Sequence, residues 1–140
     1  MKYFAYGMNT NLAEMASRCP GAVNLGPAQI EGYEFVFRTH ADIAAKKGAV
    51  CQGVLWEIDD DNLDALDMLE GYPTYYTRFS VAVTTTEGTA TTLVYQMNNQ
   101  QSIKMPYSSY LEMVTEGYQE NNISCDQLDQ ALLQIDLAYD

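Results

Sequence analysis

Two runs rich in β-branched residues, Tyr75 to Thr86 and Thr89 to Met97, flank a Glu87-Gly88 step. Such residues fit a pleated surface, and two runs joined by so short a polar step close as an antiparallel hairpin. A lone hairpin is marginal in water, so the rest of the chain has to complete a sheet. Other segments carry the same signal. Lys2 to Tyr6 reads as a short aromatic strand ending at Gly7. Ala22 to Arg38 reads as two strands around Gly26-Pro27 and Gly32, with Tyr33, Phe35 and Phe37 alternating. Ala41 to Gly48 reads as a loop. A further strand runs through Val50, Gln52, Val54 and Trp56, where Gly53 marks a bulge or a close backbone approach.

Helical signals fall between these strands. Met8 to Asn11 is a loop opening a helical turn, with Asn or Thr as cap, Leu12, Met15 and Ala16 on one face, and Pro20-Gly21 as the stop. Asp59 caps a helix that Gly71 and Pro73 end. Pro106 opens a third helix, striped by Tyr107, Tyr110, Leu111, Val114 and Tyr118. Ser124 with Gln127 three residues on is a capping-box signature for a last helix lined by Leu128, Leu132, Ile135 and Tyr139. The class is α+β: one domain over residues 1–140, with a mostly antiparallel sheet curled toward a barrel and helices packed on it.

Charge narrows the function. Seven basic against 19 acidic residues give a formal net charge of -12. Such a surface repels phosphate backbones and anionic lipid heads, which argues against nucleic acid or a membrane surface as partner. No apolar run approaches a membrane span, and the opening residues are too short and too polar in continuation for a signal peptide. Cys19, Cys51 and Cys125 are odd in number and widely spaced, so free thiols in a reducing, cytoplasmic setting are expected. After Lys104 no basic residue remains, and the acidic residues that follow read as a solvated helical face. Whether the chain forms a homodimer is open at this point.

The candidates for chemistry are few. His40 is the sole histidine and hence the sole imidazole base; pairing it with Cys51 would make a hydrolase, although neither residue sits in a motif. No Cys or His pair has zinc spacing, and the glycines occur singly, without a phosphate loop or dinucleotide fingerprint. Asp59-Asp60-Asp61 reads as solvated charge at a helix start.

Glu70 breaks the local rules. It lies four residues after Leu66 and seven after Leu63, so it projects from the apolar face, while Asp60, Asp64 and Asp67 occupy a face that stays wet. Glu70 also falls in the last helical turn, where unsatisfied carbonyls place negative potential. Burial and that potential both disfavour its ionised form, raising its pKa above the ~4.3 of a free side chain. A carboxyl so placed suits general acid–base work near neutrality. The competing reading is a glutamate that curls out to solvent at a frayed helix end.

A longer pattern weighs on that choice. Tyr3-Phe4-Ala5-Tyr6-Gly7-Met8-Asn9 resembles the Tyr-Gly-Ser-Asn opening of the γ-glutamylcyclotransferase-like (AIG2-like) family. Arg18-Cys19-Pro20-Gly21-Ala22, Gly32-Tyr33, Gly53-Val54-Leu55-Trp56-Glu57 and Leu66-Asp67-Met68-Leu69-Glu70-Gly71-Tyr72 follow in that family's order. So do Tyr75-Tyr76-Thr77-Arg78, Val94-Tyr95 and Pro106-Tyr107-Ser108-Ser109-Tyr110-Leu111, and the match runs from residue 2 to about 120. The resemblance implies a small mixed barrel with flanking helices and a reaction that needs neither metal nor cofactor. In it, the α-amine of a small-molecule γ-glutamyl substrate attacks its own γ-carbonyl, giving 5-oxoproline and a free amine or amino acid.

By the same resemblance, Glu70 takes the ammonium proton and returns one to the leaving nitrogen. Tyr6, Gly7, Met8 and Asn9 hold the glutamyl part largely through backbone amides, and Tyr76, Tyr95 and Tyr110 line the pocket. Unpaired N–H groups in a loop between strand and helix suit an α-carboxylate or a developing oxyanion, and Gly7 lets the backbone come close. Met8 stands where the family often has Ser, and Thr10 where Leu is common; an apolar, adaptable Met8 wall bears on substrate choice. The alternative from another class is a non-catalytic barrel that binds a small acyl-amino ligand.

Overall fold

The computed structural model describes residues 1–139, Tyr139 by its backbone alone, so the place expected for the Tyr139 side chain lies outside the described residues. The chain runs β1 (Lys2–Ala5), a 3-10 turn (Met8–Thr10), α1 (Leu12–Arg18), β2 (Val23–Arg38), β3 (His40–Glu57) and α2 (Asp60–Glu70). It continues with β4 (Tyr76–Thr85), β5 (Gly88–Met97), α3 (Ser108–Glu120) and α4 (Asp126–Tyr139). The strands close a barrel in the order β1-β3-β2-β4-β5. Four of its pairings are antiparallel, and the closing one, β1 to β5 at Tyr3 and Leu93, is parallel. This is the α+β class with a small mixed, mostly antiparallel barrel and flanking helices.

The β4–β5 hairpin forms where the β-branched runs place it, pairing Tyr76 with Met97 at one end and Thr85 with Gly88 at the other. Two other elements differ from expectation. Ala22 to Arg38 is one long strand, and its glycine positions are register shifts between Asn24 and Gly26 and between Glu31 and Tyr33. Those irregularities bend a strand without ending it. Ala41 to Gly48 is not a loop but the first half of β3, with Ala41, Ile43 and Ala45 set against Phe37, Phe35 and Tyr33. Alanine and lysine signal a strand weakly, but pairing with the aromatic stretch of β2 decides the conformation. The barrier to burying Asp42 there is met by the Arg38 guanidinium at 2.9 Å and the Met97 N–H at 2.9 Å.

Phe4, Ile30, Phe37, Ile43, Val54, Val83 and Val94 are fully buried in the core. Gly53 sits where an added Cβ would meet the Ala5 carbonyl at 2.3 Å, so β1 and β3 approach more closely than a side chain allows. On α1 it is Met15 that is buried, while Leu12 and Ala16 are exposed. Tyr107 is exposed at the start of α3, leaving Val114 and Tyr118 as its buried face. At α4, Ser124 Oγ accepts from the Asp126 N–H, but Gln127 does not complete a capping box. Its amide instead bonds both backbone groups of Gln52 at 2.8 Å and the Tyr118 hydroxyl at 2.6 Å. Among the described residues no helix is long and apolar enough to cross a membrane.

Candidate active site

The loop after β1 is held by its carbonyls. The Tyr6 carbonyl accepts from the Tyr118 hydroxyl at 2.6 Å, and that of Gly7 from the Thr10 N–H and hydroxyl at 3.1 and 2.8 Å. The Met8 carbonyl takes the Asn11 N–H at 3.0 Å, that of Asn9 the Trp56 indole N–H at 3.1 Å, and that of Thr10 the Asn121 amide at 2.8 Å. Five consecutive acceptors therefore face protein donors. By contrast, the N–H groups of Gly7 and Asn9 have no hydrogen-bond partner among the described residues. The first amides of a helical turn have none to find within it. The backbone thus turns its negative ends inward and leaves positive ends available.

Packing makes this loop stiff. Asn11 caps α1 by accepting from the Glu14 N–H and donates to the Met113 carbonyl of α3 at 3.0 Å. Gly117 lets α3 lie directly on the turn: a Cβ there would stand 2.2 Å from Thr10 Oγ1. Gly7 is close in the same way to Ala41, whose Cβ would be 2.8 Å from an added one.

Facing the loop is the end of α2. Asp59 and Asn62 form a reciprocal capping box at its start, Leu66 is fully buried, and Gly71 closes it. The sequence spacing that put Glu70 on the inner side holds: Glu70 is partly buried and lines a cavity. Burial raises its pKa from 4.5 to about 7, against the opposing pull of Arg18. Arg18 comes from the last turn of α1 and is itself held by Asn9 Oδ1 at 2.7 Å and Glu14 at 3.4 Å. Asp67 does not stay wet. It accepts two bonds from Arg78, at 2.9 and 3.1 Å, and one from the Tyr95 hydroxyl at 2.6 Å.

The cavity has a volume of about 260 Å³. Around it stand Glu70, the loop residues Tyr6, Gly7, Met8 and Asn9, and the tyrosines Tyr76, Tyr95 and Tyr110. Every residue expected at a site is therefore gathered at one place. The sequence reading missed Tyr3, Arg18, Leu69 and Tyr75, which also line it, and His40, which packs edge-on against Tyr110 at its rim. Arg18 carried a legible signal, a cation in a helix's last turn within a largely acidic chain. Ala41 carried none, since its segment read as a loop.

Other chemistries find no support in the geometry. Cys51 is buried, burial holds its thiol protonated, and its Sγ meets the Gln52 carbonyl. His40 is eleven positions earlier on the same strand, on the order of 30 Å along an extended backbone, so the two form no catalytic pair. Among the described residues no cluster of three or more His, Cys, Asp or Glu could hold a metal ion.

The molecule is thus a closed barrel whose first strand feeds a tight turn, set against a near-neutral carboxyl in a tyrosine-lined cavity. The chain matches the family described as "Gamma-glutamyl cyclotransferase, AIG2-like" over residues 3–113. It is 31% identical over 135 residues to a gamma-glutamylcyclotransferase of Bos taurus, covering 86% of this chain and 71% of that protein. The gamma-glutamylcyclotransferase of Homo sapiens is 30% identical over the same shares. A solved structure of a gamma-glutamyl cyclotransferase superposes with a TM-score of 0.83 at 27% identity, covering 94% of this chain and 85% of the other. The chain belongs to the γ-glutamyl cyclotransferase, AIG2-like family.

Proposed function

We propose that the protein cyclises a small γ-glutamyl compound to 5-oxoproline, with Glu70 as the acid–base group. The observation that carries this reading is Glu70 itself, a carboxyl raised to about 7 at the edge of a cavity that also holds the loop amides. A group of that pKa takes and returns a proton near neutrality with little driving force lost in either direction.

The substrate's α-ammonium gives one proton to the Glu70 carboxylate. The freed amine nitrogen attacks the γ-carbonyl carbon, forming the ring C–N bond and moving the carbonyl electron pair to oxygen. That oxyanion is stabilised by N–H groups the chain leaves without partners, those of Gly7 and Asn9. As the carbonyl re-forms, the bond to the leaving nitrogen breaks and Glu70 returns its proton to that nitrogen. The ring nitrogen, which still carries two protons, loses one through the Glu70 carboxylate to the released amine, which departs as an ammonium. The products are 5-oxoproline and the free amine. Both reacting atoms belong to one molecule, so holding it folded supplies much of the rate.

The test is incubation with a panel of γ-glutamyl amino acids, γ-glutamylamines and glutathione, followed by mass spectrometry. 5-Oxoproline from the parent but not from Glu70→Gln is the expected result. Tight binding of such ligands with no product from either protein would favour the non-catalytic barrel.

A further inference from the structure

The tyrosines of the cavity differ in where their protons go. A phenol owns one proton and can also accept; a backbone carbonyl or an ionised carboxylate only accepts. Tyr76 donates to the Ala41 carbonyl at 2.8 Å and Tyr95 to Asp67 Oδ1 at 2.6 Å. Both protons are committed inside the protein, so these two oxygens offer the cavity nothing but lone pairs. Tyr110 is the reverse: it accepts from the Ala41 N–H at 3.0 Å and keeps its proton to give. Tyr3 likewise accepts, from the Asn9 amide at 3.0 Å. The cavity thus carries two hydroxyls that can only accept, Tyr76 and Tyr95, each beside one that keeps its proton, Tyr110 at Ala41 and Tyr3 against the Tyr95 ring.

Asp67 is what fixes this at Tyr95. The Arg78 fork binds both of its oxygens, and the guanidinium lies 4.4 Å over the Tyr72 ring. Burial pushes the Asp67 carboxyl up, but the Arg78 and Tyr95 hydrogen bonds outweigh it and hold it below the usual carboxylate range. Asp67 precedes Glu70 by three positions on α2, so the two carboxyls are neighbours on the helix surface. Their surroundings drive them apart: one is an anchored anion, the other a group that gains and loses a proton.

We infer that Asp67 is a positioning residue: by accepting the Tyr95 O–H hydrogen bond it makes Tyr95 an obligate acceptor, and Tyr95 and Tyr76 together hold the α-ammonium of the ligand beside Glu70. This rests on the γ-glutamyl reading above. An alkylammonium has three N–H donors, and Glu70, Tyr76 and Tyr95 supply three acceptors. When Glu70 removes one proton, the tyrosines keep the other two N–H bonds. The nitrogen lone pair is then left for the γ-carbonyl carbon.

The experiment measures calorimetric binding in the Glu70→Gln protein, with γ-glutamylalanine and its desamino counterpart glutarylalanine as probes. Tyr95→Phe and Asp67→Asn are each expected to weaken γ-glutamylalanine by about tenfold, the scale of one hydrogen bond to a charged group. Neither should change glutarylalanine, which has no ammonium. In the Tyr95→Phe background, Asp67→Asn should add little more. Equal weakening of both probes, or full additivity of the two substitutions, would make Asp67 a clamp between α2 and β4 and overturn the inference. Tyr95→Phe removes only a hydroxyl, so unchanged discrimination between the probes in that variant overturns it even if Asp67→Asn does not fold. If neither probe binds the Glu70→Gln protein, the γ-glutamyl reading fails and this assignment fails with it.

Discussion

Tyr118 and Tyr95 are equally withdrawn from solvent, at 0% and 2% exposed, yet of the two only Tyr95 lines the cavity. The Tyr118 hydroxyl donates to the Tyr6 carbonyl and accepts from Gln127, both at 2.6 Å. It ties α3 and α4 to the strand-end loop. The Tyr95 hydroxyl donates to Asp67 and accepts from nothing among the described residues, and it stands on the cavity wall. Burial does not distinguish core from site here. Hydrogen-bonding capacity left facing a cavity does.

The largest break in that contrast comes from Glu70→Gln. Removing a positioned acid–base group costs on the order of 10²–10⁴ in rate, so turnover measured by 5-oxoproline release should collapse while the amide still binds ligand. Gly7→Val comes next. Its Cβ would lie 2.8 Å from that of Ala41, so the loop must shift, and ligand affinity should fall by about tenfold or more with the fold retained. Calorimetry would show it.

Tyr118→Phe tests the other half of the comparison. It deprives the buried Tyr6 carbonyl of its partner and the half-buried Gln127 amide of one of its two acceptors, which costs about 1–3 kcal/mol of stability in denaturant unfolding. Turnover should change far less than stability does. The opposite pattern would place Tyr118 with the site.

Glu70 also makes stability depend on pH. Its folded value, about 7, lies above the ordinary 4.5, so the folded chain holds the extra proton between those limits. The stability that proton brings is present below about 4.5 and is lost as pH rises through about 7. Glu70→Gln escapes that loss. The variant should gain on the parent across this window, by up to about 3 kcal/mol, and then level off. Unfolding midpoints at a series of pH values check the sign. The smallest change is expected of Met8→Ser, which leaves the backbone amide in place and should reorder the preferred leaving groups more than it alters the rate of ring closure.

The sequence was most legible where a single segment contains the whole reason for its shape. The β4–β5 hairpin and the α2 helix, from the Asp59 cap to Gly71, needed nothing outside themselves, and Glu70 stood out because its spacing contradicted its chemistry. Ala41 to Gly48 was illegible because its strand state comes from pairing with Phe35 and Phe37 on β2. Asp67 was misread as wet for a similar reason: its partners, Arg78 and Tyr95, lie on β4 and β5. The gathering of loop, helix end and tyrosines was visible through a family pattern, whereas the direction of each hydroxyl proton depends on neighbours that spacing does not reveal.

Closing the barrel joins Tyr3 to Leu93. The β2–β3 and β4–β5 hairpins close over short turns, whereas this seam spans most of the sheet, and contacts between such distant residues carry the higher entropic cost in folding. The hairpins are therefore expected to form early and the β1 seam late. A chain stopped between those stages would carry Glu70 on its helix with nothing opposite it, because the loop that completes the cavity hangs from β1. During refolding, ligand binding should emerge only with the final kinetic phase, after most of the secondary structure has returned.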